Sequence, residues 1–214
     1  MILPAIFKLY YIAMIITAAY FFLMATVNVL GMRIRSSAPR VKNGPLVSVL
    51  IPVRNEASNV ERCISSLQKQ DYQNYEILVI DDNSEDGTFR LISKMAEQDA
   101  RVKVFKGKAL PPDWYGKPFA LDQLVSRAEG EILLFTDADT IHSPTSVSWA
   151  VTNMETTGAD FISGYVGQIL KTYGERVTVP LIFFLTGFLV PMFLGRFFKI
   201  GYLSLAVGQY LAVK

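Results

Sequence analysis

Acidic residues are absent from long stretches of this 214-residue chain: none precedes Glu56 and none follows Glu175. A single cysteine, Cys63, excludes an internal disulfide; in a helical stretch it reads as a small packed side chain rather than a reactive thiol. A single histidine, His142, reads as a loop residue rather than a ligand. The formal net charge is only +2, so there is no global pull toward nucleic acid, and no nucleic-acid partner is expected. Repeats and low-complexity segments are also missing. Charge is missing from Leu9 to Met32, 24 residues in a row.

What is present is apolar. Hydrophobic residues make up 51% of the chain and the mean hydropathy is +0.29, high for a soluble domain. The uncharged N-terminal run is long enough to cross a bilayer's hydrocarbon core, which takes about 20 residues. It is too long for the apolar part of a cleaved signal peptide, so residues 1–32 are expected to form an uncleaved transmembrane anchor. Tyr10 and Tyr11 suit an interface. Arg33, Arg35, Arg40 and Lys42 follow, against Lys8 alone on the other side. The positive-inside rule then places the bulk of the protein on the cytoplasmic face of the cell (inner) membrane. Residues 33–45 are a basic linker; "SSAPRVKNGP" (36–45) holds two prolines and a glycine.

From residue 46 the pattern alternates. Strands are predicted at 46–52, 75–82, 102–107, 131–139 and 159–166. Helices are predicted at 58–70, 88–98, 116–128 and from Ser143 to about Thr156. Ser58 and Glu61 have the spacing of a capping box, and Val60, Ile64 and Leu67 share a face. Ser143 and Pro144 read as N-cap and first helical residue. Near-continuous apolar strands alternating with helices predict an α/β fold, a Rossmann-like, mostly parallel sheet with helices on both faces, over residues 46–173. Ligands of such sheets bind beyond the carboxyl ends of the strands. Residues 174–214 are expected to form a hydrophobic interfacial or transmembrane segment and the start of an incomplete acceptor region. Within it, 177–195 carries Pro180 and Pro191 and is read as an interfacial or re-entrant membrane segment rather than a full crossing. Another apolar stretch then runs to Val213.

The polar residues gather after the strands. "LLFTDADT" (133–140) ends in Asp137 and Asp139. Residues i and i+2 of a strand share a face, so both can converge on one object if strand geometry persists. Like charges that close need something positive between them. Mg²⁺ or Mn²⁺, held by one or two carboxylates and the oxygens of a diphosphate, suits this pattern. Asp81 and Asp82 end a second strand, and Asn55 and Glu56 follow the first. Lys117 sits near a helix start, where a cation is disfavoured by the helix dipole but a phosphate is welcome. Trp114 and Tyr115 suit either stacking on a sugar or base, or packing on the core. Trp149 reads as core.

"VSVLIPVRNEASNVERCISSL", "YEILVIDDNSEDGT", "GKPFAL" and "EGEILLFTDADT" stand in the order seen in family 2 glycosyltransferases with the GT-A fold, which the chain resembles over about residues 46–166. "PPDWYGKPFA" and "TDADT", with the N-terminal anchor, look like the membrane-bound members, the hopanoid-associated and carotenoid-type enzymes. "VIDDNS" also resembles receiver domains, but those place the acidic duet after their first strand and the lysine late. The glycosyltransferase resemblance implies a nucleotide-sugar donor, a UDP-sugar above all, and a lipid or polyisoprenoid-type acceptor at the membrane. It implies that Pro52, Arg54, Asn55 and Glu56 border the base and ribose, and that Asp81 or Asp82 hydrogen-bonds the base. Lys117 would lie near the nucleotide, Asp137 would face the ribose or metal, and Asp139 would bind the metal. The implied reaction is inverting transfer to a hydroxyl or carboxyl acceptor. The family's general base is an acidic residue well downstream of the Asp-x-Asp, and Asp160 and Glu175 are poor substitutes by position. The chain is therefore expected to be a fragment lacking the general base, and a nucleotide-sugar-binding module without transfer is the alternative reading.

Overall fold

The computed structural model describes residues 2–31, 40–164, 166–189 and 208–214. The chain divides into two compact units. One comprises Met1–Ser37 and Gly167–Leu205, the other Ala38–Val166 and Ala206–Lys214.

The second unit is a six-stranded mixed sheet flanked by helices. In chain order its elements are β1 (Val47–Val53), α2 (Val60–Leu67), β2 (Tyr75–Asp81), α3 (Thr88–Gln98), β3 (Val102–Lys106), α4 (Gly116–Val125), β4 (Ile132–Thr136), α5 (Ser146–Thr157), β5 (Phe161–Ser163) and β6 (Tyr210–Val213); α1 (Ile2–Gly31) lies in the other unit. The strand order is β3-β2-β1-β4-β6-β5. Strands β3, β2, β1 and β4 are parallel, and β6 runs antiparallel to both neighbours. The mostly parallel α/β sheet is thus as expected. Residues 210–213, taken as part of the C-terminal hydrophobic region, instead form an inner strand of this sheet.

Alternation along the strands sorts the core into two layers. Val47, Val49, Ile51 and Val53 of β1 point to one face, where α2, α3 and α5 pack through Ile64, Leu67, Ile92, Val147 and Val151. Leu50, Leu78 and Ile80 point to the other, against Ala120 and Leu124 of α4. Both faces are covered, so the strands are apolar throughout. The chain leaves β1 toward β2 on one side and returns as β4 on the other. That reversal opens a crevice beyond the carboxyl ends of β1 and β4.

Local signals were less reliable than periods. Helix α2 starts at Val60 after Asn59, with no side-chain cap, and the Ser58–Glu61 box does not form. The turn is held instead by the Glu56 carbonyl, which accepts from the amides of Asn59 and Val60. Ser143 and Pro144 precede α5 by a turn; Thr145 occupies the N-cap position.

The first unit contains α1 (Ile2–Gly31) and α6 (Tyr173–Leu189), which pack on each other. At 1.5 Å per residue α1 is about 45 Å long. Its span Pro4–Asn28 is long and apolar enough to cross a membrane. Helix α6 opens with a capping box that sequence reading missed. The Glu175 carboxylate accepts from the amides of Lys171 and Thr172, and the Thr172 hydroxyl accepts from the Glu175 amide. Val177, Leu181, Ile182 and Leu185 are exposed on α6. The expected hydrophobic segment beyond Leu189, and the linker from residue 33 to 39, lie outside the described residues.

Candidate donor-binding site

Val53 of β1 pairs with Asp81 of β2, so the two strands end level. The loops that follow are stitched together. Asn55 adopts a left-handed backbone (φ 56°). Its amide donates to Ser84 Oγ, and its Oδ1 accepts from the Glu85 amide at 2.8 Å. The Glu56 amide donates to Thr88 Oγ1, whose hydroxyl donates to Asp86. Asp86 also accepts from the Ala57 amide, and the Thr88 hydroxyl leads the contacts that hold its carboxyl below the usual range.

These loops wall a pocket of about 300 Å³ at the crevice, lined by Pro52, Val53, Arg54, Glu56, Asp82, Gly116, Lys117, Ala120, Asp137, Ala138 and Asp139. Of the nine residues that the sequence placed at the site, seven line it: Pro52, Arg54, Glu56, Asp82, Lys117, Asp137 and Asp139.

 Asn55 and Asp81 do not line it. Asn55 instead braces the loop. Asp81 is 5% exposed at the end of β2; its Oδ2 accepts from the Ser84 amide, and its Oδ1 is buried without a partner.

Lys117 lies in the first turn of α4, and its ammonium contacts Asp137 Oδ1 at 2.5 Å. The positive group expected beside the carboxylates is therefore supplied, in part, by the protein. Arg54, mostly exposed, lies 3.8 Å from Asp82 Oδ2. Gly116 lets α4 approach, since a Cβ there would stand 3.2 Å from Asp82 Oδ2. Sequence reading missed Gly116, although its place just before Lys117 was a signal.

Strand β4 stops at Thr136, earlier than expected, and Asp137 and Asp139 sit in the turn that follows, where the Thr140 amide donates to the Asp137 carbonyl. Burial nevertheless keeps alternating. Thr136, Ala138, Thr140 and His142 are buried, while Asp137 is half-buried and Asp139 exposed. The carboxylates thus share a side, by anchoring of the residues between them rather than by a strand ladder. Beneath them, the buried Cys63 thiol donates to the Asp137 carbonyl. Burial, then the charges of Asp139, Asp137 and Glu56, push this thiol up to about 12, so it stays protonated, in keeping with its reading as a packed side chain.

Among the described residues, no group of three or more His, Cys, Asp or Glu could hold a metal by itself. Asp139 has no hydrogen bond or ion pair within the described residues, and Asp137 shares the pocket with it. One or two carboxylates facing an open pocket fit a divalent cation whose other ligands come from phosphate and water. His142 is buried, with burial lowering its pKa to about 4, and is not at the pocket. Tyr115 is 82% exposed beside the pocket residue Gly116; Trp114 is 42% exposed and packs on Phe119 at 5.4 Å. Trp149 packs on the core as expected. Asp160 lines a different cavity, at the amino ends of β1 and β4, with Glu131, Glu155 and Lys214.

Residues 48–208 match the model of the family described as Glycosyl transferase family 2. The chain belongs to that family. Glycosyltransferase AglE of Haloferax volcanii is 30% identical over 124 residues, which are 57% of this chain and 40% of that protein. The GalNAc(5)-diNAcBac-PP-undecaprenol beta-1,3-glucosyltransferase of Campylobacter jejuni is 36% identical over 96 residues, 44% of this chain and 30% of that protein. This family 2 chain therefore spans less than half the length of either relative. Its fold is also that of a mannosyltransferase from Pyrobaculum calidifontis, solved with GDP-Man and Mn²⁺, with a TM-score of 0.62 at 22% identity over 92% of this chain and 53% of that one.

Proposed function

We propose that the chain carries the donor-binding part of an inverting, metal-assisted glycosyltransferase that takes a nucleotide-diphosphate sugar, a UDP-sugar above all, and serves a lipid-like acceptor at the cytoplasmic face of the membrane. The observation that carries this reading is the convergence of Arg54, Glu56, Asp82, Lys117, Asp137 and Asp139 on one pocket at the sheet's switch point. A nucleotide fits that setting: a polar rim from the β1 and β2 loops for the base and ribose, and a cation beside two carboxylates for the diphosphate. The buried, unpartnered Asp81 Oδ1 supports a polar contact from that side.

Asp139 and Asp137 would hold Mg²⁺ or Mn²⁺. Bound there with the diphosphate, the ion supplies Lewis-acid stabilisation of the leaving group. The chain's own residues do the rest of the donor's work. The Lys117 ammonium neutralises phosphate charge from the helix start, where the α4 amides also point outward. The Cys63 thiol and the buried side chains of the Asp137–His142 segment hold the carboxylates in place.

Attack by an acceptor hydroxyl needs a general base. Glu175 does not offer itself, because its carboxylate is engaged in capping α6. Asp160 lines the cavity at the amino ends of β1 and β4, at the other end of the strands from the pocket. The lipid-like acceptor is supported by the apolar α1 and exposed apolar α6. It is also supported by the undecaprenol-linked substrate for which the Campylobacter jejuni relative is named. The hopanoid or carotenoid type is a narrower version that rests on the "PPDWYGKPFA" and "TDADT" wording.

The test is calorimetric titration of the detergent-solubilised chain with UDP and then GDP, with and without Mn²⁺, beside Asp139→Ala. The expected result is metal-dependent binding of one nucleotide, weakened at least about tenfold in the variant. No binding of either nucleotide by the folded chain would sink the reading. Donor hydrolysis or transfer, measured next, separates an enzyme from a binding module.

A further inference from the structure

The segment from Asp137 to Ile141 has no ladder partner among the described residues, since the β4–β6 pairing ends at Thr136 and Tyr210. Something else must fix where its two carboxylates point. The one polar ring buried along it is His142, 6% exposed. His142 Nε2 lies 3.0 Å from Thr136 Oγ1, so a hydrogen bond closes the segment back on the residue before Asp137. The His142 amide donates to Ser66 Oγ of α2 at 2.9 Å, and Nδ1 lies 3.4 Å from Ser146 Oγ of α5. Thr136 Oγ1 also faces the Gln209 carbonyl at 3.2 Å. The Tyr210 ring stands 6.1 Å from the imidazole, and its hydroxyl donates to the Ser146 carbonyl. Three elements, β4, α5 and the start of β6, therefore meet on one imidazole, while α2 holds the backbone amide of the same residue.

We propose that His142 is a positioning residue, not a ligand: its bond to Thr136 closes the Asp137–Ile141 segment into a pinned loop that aims Asp137 and Asp139 at the metal and diphosphate. The proposal rests on the donor-site reading above. A pair of carboxylates binds a small cation well only if held within about half an ångström of the right geometry. Residues one shell out from a metal site commonly set its affinity by about 10- to 100-fold. The Asp137 side chain itself makes no bond to His142, so the effect runs through the backbone.

A role in folding alone would lower stability and leave the folded protein's metal-dependent binding intact. The test therefore titrates the 214-residue chain in detergent with UDP and GDP, with and without Mn²⁺, for wild type, His142→Leu, His142→Gln, Thr136→Val and Thr136→Ser. The inference expects His142→Leu and Thr136→Val to lose about tenfold or more of Mn²⁺-dependent affinity, with metal-free nucleotide binding unchanged. His142→Gln and Thr136→Ser, which keep a hydrogen-bonding group, should recover most of it. If His142→Leu does not fold, Thr136→Val carries the comparison, because it removes a single hydroxyl. Wild-type Mn²⁺ dependence in the folded variants would overturn the His142 role and leave the donor site standing. Absence of Mn²⁺-dependent binding in wild type would overturn the donor-site reading, and this inference with it.

Discussion

Lys117 is placed where helix electrostatics alone would not put it. A cation in the first turn of a helix is unfavourable unless an anion is near. Here Asp137 supplies one, and an arriving diphosphate would supply more. His142 shows the opposite device, a titratable group kept neutral. Its folded pKa, about 4, lies below the ordinary value of 6.5 because burial disfavours the imidazolium. Between those values the unfolded chain binds a proton that the folded chain refuses, so stability is full above about pH 6.5 and falls as pH drops toward 4. The loss should reach about 2–3 kcal/mol at the acid end. His142→Gln should flatten that slope between pH 7 and 4 in thermal unfolding. A slope unchanged in the variant would mean that other groups produce it. Asp99 titrates lower, near 2, chiefly because the Arg101 side chain hydrogen-bonds it, so its effect belongs to a more acid window.

Gly130 illustrates a constraint between elements. It lies just ahead of β4, against the start of β1, and a Cβ there would stand 2.6 Å from the Ser48 amide and 2.8 Å from the Leu46 carbonyl. Those are backbone atoms that cannot swing aside. The Gly130 amide also donates to Ser48 Oγ, which in turn donates to Glu76 Oε1. Gly130→Ala should therefore cost about 2–3 kcal/mol, seen as a melting temperature lowered by about 5 °C or more. An unchanged melting temperature would mean that β1 and β4 are not packed this closely.

The same scale shows what could be read from the residues. The parallel strands were legible because burial on both faces makes each one an apolar run, and Ile77 to Ile80 could hardly be anything else. Strand β6 was not, because "YLAV" lies at the end of a longer apolar stretch and its partner β4 is about 75 residues away in sequence. That seven of the nine candidate residues would come together was legible because the sheet delivers strand ends to one crevice. Asn55 and Asp81 do not line the pocket because their side chains face the loop and the interior, a choice of direction that spacing does not encode.

For the whole molecule the open quantity is orientation relative to a bilayer. Helix α1 is long enough to cross about 30 Å of hydrocarbon, and Arg33, Arg35, Arg40 and Lys42 follow it. If these basic residues stay inside, the donor pocket faces the cytoplasmic pool of nucleotide sugars. Cysteine labelling can decide this cleanly. The only native thiol, Cys63, is buried and held protonated by its surroundings, whereas maleimides react with exposed thiolate. Glu97 lies on the exposed side of α3, so Glu97→Cys adds one accessible thiol far in sequence from the pocket residues. A membrane-impermeant maleimide should label Glu97→Cys in inside-out vesicles and not in right-side-out ones, and wild type in neither. Labelling confined to right-side-out vesicles would place the sheet outside and overturn the cytoplasmic assignment. Chain that washes off the membrane in alkaline carbonate would overturn the anchor itself.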